Sequence, residues 1–411
     1  MLHTLHPNLK VRLTINFLQK LTQTAIFPFL TLYFVEQFGT RWTGPLIIVT
    51  TLGALLASLY GGTLADRFGR KRVLWNGELF RLFSFFGMAL VAMPAWHQPI
   101  GLFVFFFLNN LFSSAITPAN EAILIDDSTS ENRTFLYTVS YWSLNISIVV
   151  GSLIGGFFFQ DYVVHLLVIA TGVSALCVAL IRFGLHDTYR PTPRTKKAKR
   201  SMWQDYRHVL TNRLFLLYLL AGILTLSLEL QLTHYLAVHF IDRIEPSRLF
   251  SLEWDGTRLL GLVRAENTLL VLLLGLFVAR WTKRFQAKQV LYVGVVLFSL
   301  GFAAMPLTDN VFLLLLGTAC FTVGELLYVP IHQALLAKLM DDHLRSQYLA
   351  VNGLRYRGAL LIGAISVSLY EFLNPIVMSL LYTLFGGVAL FLYHVIHHRL
   401  DQRHASHRRA S

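Results

Sequence analysis

Charged side chains are scarce in this sequence. Only 14% of the 411 residues are Asp, Glu, Lys or Arg, whereas a soluble globular domain carries about 25%. Hydrophobic residues make up 55% of the chain. This composition excludes an ordinary water-soluble domain and indicates a chain that lies mostly in a lipid bilayer.

Cysteine is also nearly absent, since only Cys177 and Cys320 occur and both fall inside apolar runs. Two isolated thiols exclude a disulfide framework and a cysteine-based metal site, and we expect both to be buried packing residues. The glycine-lysine-serine pattern of a phosphate-binding loop is missing, which argues against pumping driven by ATP. We therefore expect neither a metal ion nor a cofactor.

Long apolar runs occupy most of the chain, and each is close to the roughly 20 residues that a helix needs to cross a bilayer. Little length remains for a soluble domain. The sequence thus predicts an all-α polytopic membrane protein with twelve transmembrane helices. The runs are 11–37, 43–65, 73–94, 101–124, 135–158, 162–183, 214–240, 258–281, 288–307, 311–337, 346–371 and 375–397.

A basic, proline-containing stretch, RPTPRTKKAKR at 190–200, separates the sixth run from the seventh. Prolines and clustered cations do not enter hydrocarbon, so this segment predicts a linker between two six-helix bundles. The following residues, 202–213, have the spacing of a short amphipathic helix, either on the membrane surface or in water. We expect bundles at 1–184 and 214–397, a linker at 185–213 and a basic tail at 398–411.

The formal net charge of +13 comes from cations in loops and tails beside the apolar runs. That distribution indicates membrane orientation rather than nucleic-acid binding. The loops around His97, Asp161 and Asp309 contain almost no lysine or arginine. The positive-inside rule therefore predicts that both termini and the linker are cytoplasmic.

The loop between the second and third runs reads GTLADRFGRKR, and its glycines at 62 and 69 predict a close helix approach and a tight turn. This string resembles the signature of the major facilitator superfamily, G-x-L-A-D-R-x-G-R-K, which implies two parallel six-helix repeats and transport by alternating access. In that family the aspartate helps to hold the cytoplasmic ends of the two halves together. The resemblance therefore implies a cytoplasmic gate rather than a solute site for Gly62, Asp66, Arg67, Gly69, Arg70 and Lys71.

Over most of its length the chain resembles the twelve-helix multidrug branch of that superfamily, and in particular the lmrP-type multidrug transporters of Lactococcus. The matching strings are IDDSTSENR at 125–133, the YW pair at 141–142 and GEL at 324–326. The resemblance implies a transport role for Asp126, although a solvated helix end would also explain this residue. Ser140 stands where that branch is expected to have an aspartate.

Ionisable residues inside the runs are candidates for function, because a charge near the bilayer centre costs at least about 2.5–3.5 kcal/mol. Glu325 is the leading candidate for the proton carrier, since desolvation favours the neutral form of a buried carboxyl group and allows it to load and release a proton. A fixed salt bridge with Arg355 or Arg264 is the alternative. Glu229 is the second candidate, as a proton site or as an attraction for cations.

The remaining candidates have structural alternatives. Arg264 and Glu266 are two residues apart on one helix and cannot pair with each other, and snorkelling towards the membrane surface would explain both. Glu121 is a further candidate. Glu78 and Arg81 are three residues apart and are expected to form a structural pair.

These features predict a secondary transporter of a bacterial cytoplasmic membrane that exports lipophilic or cationic drug-like compounds in exchange for protons. Export of an amphiphilic metabolite, peptide or lipid is the alternative on the same fold. A membrane enzyme is not expected, because the aspartates in IDDSTSE lack the second aspartate-rich segment that a metal-dependent prenyl transferase needs. The expected partners are small solutes, protons and the bilayer, and the expected state is a monomer.

Overall fold

The computed structural model describes residues 7–126, 133–186, 202–244, 247–249, 252–341 and 344–410. Helices dominate these residues, as the apolar runs predict. The helices are α1 Pro7–Phe68, α2 Arg70–Val91, α3 Pro99–Asp126, α4 Arg133–Ala179, α5 Met202–Thr211, α6 Arg213–Leu230, α7 Tyr235–Arg243, α8 Gly256–Trp281, α9 Ala287–Ala304, α10 Val311–Leu339, α11 Arg345–Asn352, α12 Leu354–Ser368 and α13 Pro375–Ala410.

All twelve apolar runs coincide with helix, so the predicted all-α membrane fold is confirmed. Eight helical segments of the described residues are long and apolar enough to cross a membrane. Two of them, α1 and α4, each contain a pair of runs and a break between the two, at Gly39 and at Tyr162. Helix α2 and the pair α11–α12 account for the remaining two runs.

Gly69 makes the turn between α1 and α2, and its backbone φ is 90°. This is a conformation that side chains with a Cβ rarely adopt, so glycine is required at this position. The tight turn that the signature string predicted is therefore present. The close helix approach belongs to Gly61 rather than to Gly62, because a Cβ on Gly61 would lie 1.9 Å from the carbonyl oxygen of Ala115 on α3.

A short hairpin interrupts the helical pattern between α7 and α8. Strand β1, Ser247–Leu249, pairs in antiparallel fashion with strand β2, Leu252–Trp254. The ring of Trp254 contacts that of Phe157 on α4 with centroids 5.9 Å apart. Asp255 then accepts a hydrogen bond of 2.8 Å from the backbone N–H of Arg258 at the start of α8. The charged loop at 241–258 thus contains ordered strand structure, which the sequence analysis did not predict.

Contacts divide the chain into two compact units. Unit 1 comprises residues 1–193 and 245–268, and unit 2 comprises residues 194–244 and 269–411. The dividing line therefore passes through α8. In unit 1, α1 packs on α3 and α4, and α2 packs on α3. In unit 2, α9 packs on α10 and α13, and α6 packs on α12 and α13.

Glycines bring neighbouring helices close together in both units, as expected where packing rather than water drives helix association. On α4, a Cβ on Gly151 would lie 2.8 Å from the carbonyl oxygen of Leu21, and one on Gly155 would lie 2.4 Å from that of Ala25. Ordinary helix packing therefore explains these α4 glycines. Cys177 is fully buried among apolar side chains, and Cys320 is partly buried.

Candidate functional site

A buried polar cluster of unit 2 is centred on His332 of α10. The ring of His332 stacks on that of Tyr218 from α6, with centroids 4.3 Å apart and planes 10° apart. His332, Tyr218 and Tyr393 of α13 are all buried. Side chains from α6, α12 and α13 meet at this imidazole ring of α10.

Both ring nitrogens of His332 are occupied. Nε2 is contacted by Nη1 of Arg355 from α12, and Nδ1 lies 2.8 Å from the hydroxyl of Tyr393. An arginine side chain only donates hydrogen bonds, so Nε2 must be the acceptor and Nδ1 must carry the proton. His332 is therefore neutral in this arrangement and donates to Tyr393. Gly222 of α6 leaves the space for this contact, because a Cβ there would lie 2.5 Å from Cδ of Arg355.

Two carboxylates share this region of unit 2. The buried side chain of Tyr328 on α10 lies within electrostatic reach of Glu229, Glu325 and Arg355. On α10, Glu325, Tyr328 and His332 occupy positions i, i+3 and i+7, which lie on one face of a helix. The sequence candidates Glu229, Glu325 and Arg355 are thus brought together. We call Tyr218, Glu229, Glu325, Tyr328, His332, Arg355 and Tyr393 the histidine cluster.

The helix that carries Glu229 is interrupted immediately after this residue. Helix α6 ends at Leu230, a 3-10 turn spans Gln231–Thr233, and α7 begins at Tyr235. The side chain of Gln231 accepts a hydrogen bond of 2.8 Å from Ser366 of α12. A break of this kind inside a span is tolerated only where the freed backbone groups find partners within the protein. It places Glu229 at a helix end rather than in a continuous rod.

Unit 1 contains a different polar cluster, formed around Glu78 of α2. Arg81 donates to Oε2 of Glu78 at 2.8 Å, and Gln19 of α1 donates to the same oxygen at 2.7 Å. Ser174 of α4 donates to Oε1 at 3.2 Å. The side chains of Glu78 and Arg81 are 1% and 5% exposed. The predicted structural pair is therefore confirmed, and it joins three helices.

A cavity of about 580 Å³ adjoins this pair in unit 1. Lys20 of α1, Arg81 of α2 and Asn120 of α3 contribute to its wall, together with Ser140 of α4. Ser140, which the sequence analysis noted as a replacement for a carboxylate, therefore lies on a cavity surface. The hydroxyl of Ser140 has no hydrogen-bond partner among the described residues.

Two further candidates lie on the part of α8 that belongs to unit 1. Nε of Arg264 donates to the hydroxyl of Ser152 on α4 at 3.3 Å. Glu266 is partly buried, and its Oε2 atom has no hydrogen-bond partner within the described ranges. Among the described residues Arg264 and Glu266 form no ion pair with each other, as their spacing predicted.

The remaining sequence candidates are Glu121, Asp126 and the residues of the signature loop, all in the N-terminal half of the chain. Glu121 is exposed on α3. Asp126 is the last residue of α3, but its side chain and that of Asp66 lie outside the described part of the chain. In the signature loop, Lys71 donates to the carbonyl oxygen of Arg182 at 3.2 Å, and Arg67 is exposed. The gate role of this loop stays a prediction.

Sequence reasoning missed Lys20, Tyr218, His332 and Tyr393. Helical spacing could have identified His332, since it lies two turns from Glu325 on the same face. The two tyrosines belong to the cluster only because α6 and α13 pack beside α10, and nothing in their local sequence indicates this. Lys20 was overlooked although it is a cation inside the first apolar run.

Comparison with known families settles the class of protein. The profile of the Major Facilitator Superfamily matches residues 13–263 and 250–410. The chain belongs to the major facilitator superfamily. The resemblance based on the loop at Gly62–Arg72 is therefore confirmed, and this transporter is a multi-pass membrane protein.

Its curated relatives include a cation/proton antiporter and a multidrug resistance protein. The chain is 32% identical over 407 residues to a protein of Planococcus maritimus named Na(+), Li(+), K(+)/H(+) antiporter, and the match covers 94% of this chain and 96% of the relative. It is 27% identical over 403 residues to multidrug resistance protein MdtH of Photorhabdus laumondii, with 94% and 93% covered. These names support a branch of the multidrug type.

Solved structures with the same fold include a peptide transporter POT in complex with sulfate, with a TM-score of 0.74 and 16% identity over 96% of this chain and 94% of that chain. A mutant of the nucleoside transporter NupG has a TM-score of 0.73 and 15% identity, with 95% and 99% covered. At these identities the likeness shows the fold alone. Relatives and structural neighbours are transporters rather than enzymes.

Proposed function

We propose that the protein is a proton-coupled antiporter that expels lipophilic or cationic drug-like compounds by alternating access. The histidine cluster carries this proposal, because it combines two carboxylates, a neutral imidazole and an arginine within the membrane-spanning part of unit 2. Ionisable groups at such a depth mark proton and ion pathways in transporters. The relatives named MdtH support drug efflux.

The contact between His332 and Arg355 suggests how a proton would change the cluster. Nε2 of His332 accepts from Arg355, so an imidazolium with protons on both nitrogens could not keep that contact. Protonation would release Arg355, which shares with Glu229 and Glu325 the electrostatic surroundings of Tyr328. Proton binding and movement of α12 relative to α10 would then be linked.

Glu325 is the proposed proton carrier, and Glu229 is the proposed second site, for a proton or for a cationic solute. The alternative of a fixed salt bridge between Glu325 and either Arg355 or Arg264 makes a different prediction. A carrier is needed for transport driven by a proton gradient, but it is not needed for exchange of solute without a gradient. A fixed bridge would be needed for both.

The experiment therefore measures two activities in proteoliposomes with ethidium as the solute. For Glu325→Gln, we expect uptake driven by a pH gradient to fall at least about tenfold and gradient-free exchange to continue. Glu36→Gln removes an exposed carboxylate of α1 and serves as the control. Unchanged driven uptake by Glu325→Gln would show that the coupling assignment is wrong, and loss of both activities would favour the salt bridge.

A second candidate function is exchange of Na⁺, Li⁺ or K⁺ for protons. The relative from Planococcus maritimus supports it, and so does the helix break beside Glu229, since broken helices in transporters expose backbone groups that can bind ions. Everted vesicles with an acridine-type pH indicator separate the two candidates. Proton movement on addition of NaCl, LiCl or KCl without any ethidium transport would favour metal-cation exchange.

The remaining sequence predictions form part of this proposal. We place the protein in a bacterial cytoplasmic membrane as a monomer with both termini in the cytoplasm. The signature loop acts as a cytoplasmic latch through Asp66, and the two six-helix bundles are joined by the basic linker at 185–213. The positive-inside distribution of cations supports this orientation.

A further inference from the structure

The cavity of unit 1 carries an unusual set of side chains for a protein that is expected to move cations. Its described wall contains two cations, Lys20 and Arg81, several amides and hydroxyls, and no aspartate or glutamate. At about 580 Å³ it is large enough for a drug-sized ligand. The electrostatic character of this cavity is therefore positive.

Arg81 does not provide a free charge for this cavity, because Glu78 neutralises it at 2.8 Å. Glu78 in turn is held by side chains other than Lys20. Its Oε2 atom accepts hydrogen bonds from Arg81 and Gln19, and its Oε1 atom accepts from Ser174. None of these hydrogen bonds to Glu78 involves Lys20.

Lys20 is the remaining cation. It lies 13 residues after Pro7, the start of α1, which places it about 20 Å along the helix and within the hydrocarbon layer. The charge that acts on its ammonium group is that of another cation, Arg264. Within the described residues no carboxylate pairs with Lys20. A lysine at this depth without a counter-ion is costly and marks a functional site.

Neutral groups around Lys20 also lack partners. The hydroxyl of Ser140 and Oδ1 of Asn120 are buried in the cavity wall and have no hydrogen-bond partner in the described parts of the chain. A serine hydroxyl can donate to a ligand oxygen. Buried polar groups without protein partners are expected to bind a ligand or water.

We propose that this cavity binds the carboxylate or phosphate group of an organic solute, with Lys20 as its counter-ion and Ser140 as a hydrogen-bond donor. The transported compounds would then include zwitterions and amphiphilic anions besides cations. This inference rests on membership of a transporter family and goes beyond the proposed coupling to protons. It does not require Glu325 to carry the proton.

A matched pair of dyes tests the proposal. One is a rhodamine with a free carboxylate, and the other is the methyl ester of the same dye. Binding is measured by fluorescence anisotropy on the purified full-length protein in detergent. We expect the wild type to bind the carboxylate dye at least about tenfold more tightly than Lys20→Gln does, and we expect the ester to bind both proteins similarly. Lys20→Arg should keep most of the preference.

Ser140→Asp provides a variant with the opposite charge in the same cavity. It should weaken binding of the carboxylate dye by about tenfold and leave the ester bound as well or better. Lys10→Gln removes a cation from the exposed start of α1 and should change neither dye. Gel filtration and thermal unfolding of each variant check that the protein is folded.

Two outcomes would overturn the proposal. One is equal affinity of wild type and folded Lys20→Gln for the carboxylate dye. The other is evidence that the cavity binds only a free anion. Calorimetry would then show inorganic phosphate binding that is lost in Lys20→Gln, while each dye binds the wild type and the variants equally. Because binding is measured at equilibrium without a gradient, neither outcome bears on proton coupling through Glu325.

Discussion

Unit 1 and unit 2 each hold an arginine within a membrane-spanning region, but the two arginines have different partners. Arg81 in unit 1 pairs with Glu78, whose oxygens also accept from Gln19 and Ser174. Arg355 in unit 2 contacts a neutral histidine and lies near two carboxylates. The first arrangement pairs the arginine with a carboxylate and joins three helices. The second can exist in more than one protonation state, which is what a coupling site requires.

The largest effect is expected for Glu78→Gln, which should lower the stability of the protein. Glu78→Gln leaves Arg81 as an uncompensated buried cation, and removing one partner of a buried pair destabilises a protein by about 3–5 kcal/mol. We therefore expect a clearly lower midpoint of thermal unfolding in detergent, and poor yield. Glu325→Gln should unfold close to the wild-type temperature.

Glu36→Gln is the control for both variants, since it removes an exposed carboxylate. If Glu78→Gln and Glu325→Gln lowered the unfolding temperature equally, the distinction between a structural pair and a titratable cluster would not hold.

The second largest effect is expected for Gly222→Val, which fills the space beside Arg355. A side chain at Gly222 would displace Cδ of Arg355 and crowd His332, because its Cβ would lie 2.5 Å and 3.0 Å from atoms of these residues. We expect Gly222→Val to reduce gradient-driven transport about tenfold, as expected for loss of a well-placed coupling group. Gly172→Val is the matched control, since no atom lies within 4 Å of a Cβ at that position. Wild-type transport by Gly222→Val would remove the His332 and Arg355 contact from the mechanism.

A smaller effect is expected for Tyr393→Phe, which removes the hydroxyl 2.8 Å from Nδ1 of His332. Its loss leaves the buried Nδ1–H of His332 without its acceptor, which costs about 1–3 kcal/mol. The unfolding temperature should fall slightly, and driven transport should decrease more than gradient-free exchange. The exposed Tyr60 offers the comparison Tyr60→Phe, and an equal response of the two variants would argue against a coupling role for Tyr393.

The smallest effect is expected for Ser152→Ala. This variant removes the acceptor of a long hydrogen bond from Arg264, at 3.3 Å. The change should lie at the lower end of the range for a single hydrogen bond, about 0.5 kcal/mol. Thermal unfolding provides the measurement, and a loss as large as that of Glu78→Gln would show that Arg264 belongs to a structural pair after all.

Much of the fold was predictable because bilayer thickness imposes a length on each span. The apolar runs identify the spans, and the Gly69 turn follows from the signature string. The breaks inside α1 and α4 were expected as loops, but Gly39 and Tyr162 interrupt otherwise continuous helices. The polar residues at these points mark the end of each run, but they do not show that one residue outside helical geometry makes the break.

The candidate sites were less predictable, for a physical reason. Glu78 and Arg81 interact within one helix, so their spacing was enough to predict the pair. His332 depends on side chains from three other helices, and helix adjacency cannot be read from apolar runs that all look alike. Lys20 shows the same limit, since its importance comes from a cavity wall whose described residues include no aspartate or glutamate.

The length of helix α13 makes its tilt measurable from outside the membrane. It is continuous over the 36 residues Pro375–Ala410, so it is about 54 Å long, whereas the hydrocarbon layer is about 30 Å thick. Roughly 24 Å of rigid rod therefore extends past the membrane core. A tilt of about 10° in this helix would move its far end by about 4 Å. A spin label on that end would lie outside the bilayer. Its displacement would measure how the tilt of the helix that carries Tyr393 changes when protons or solutes bind.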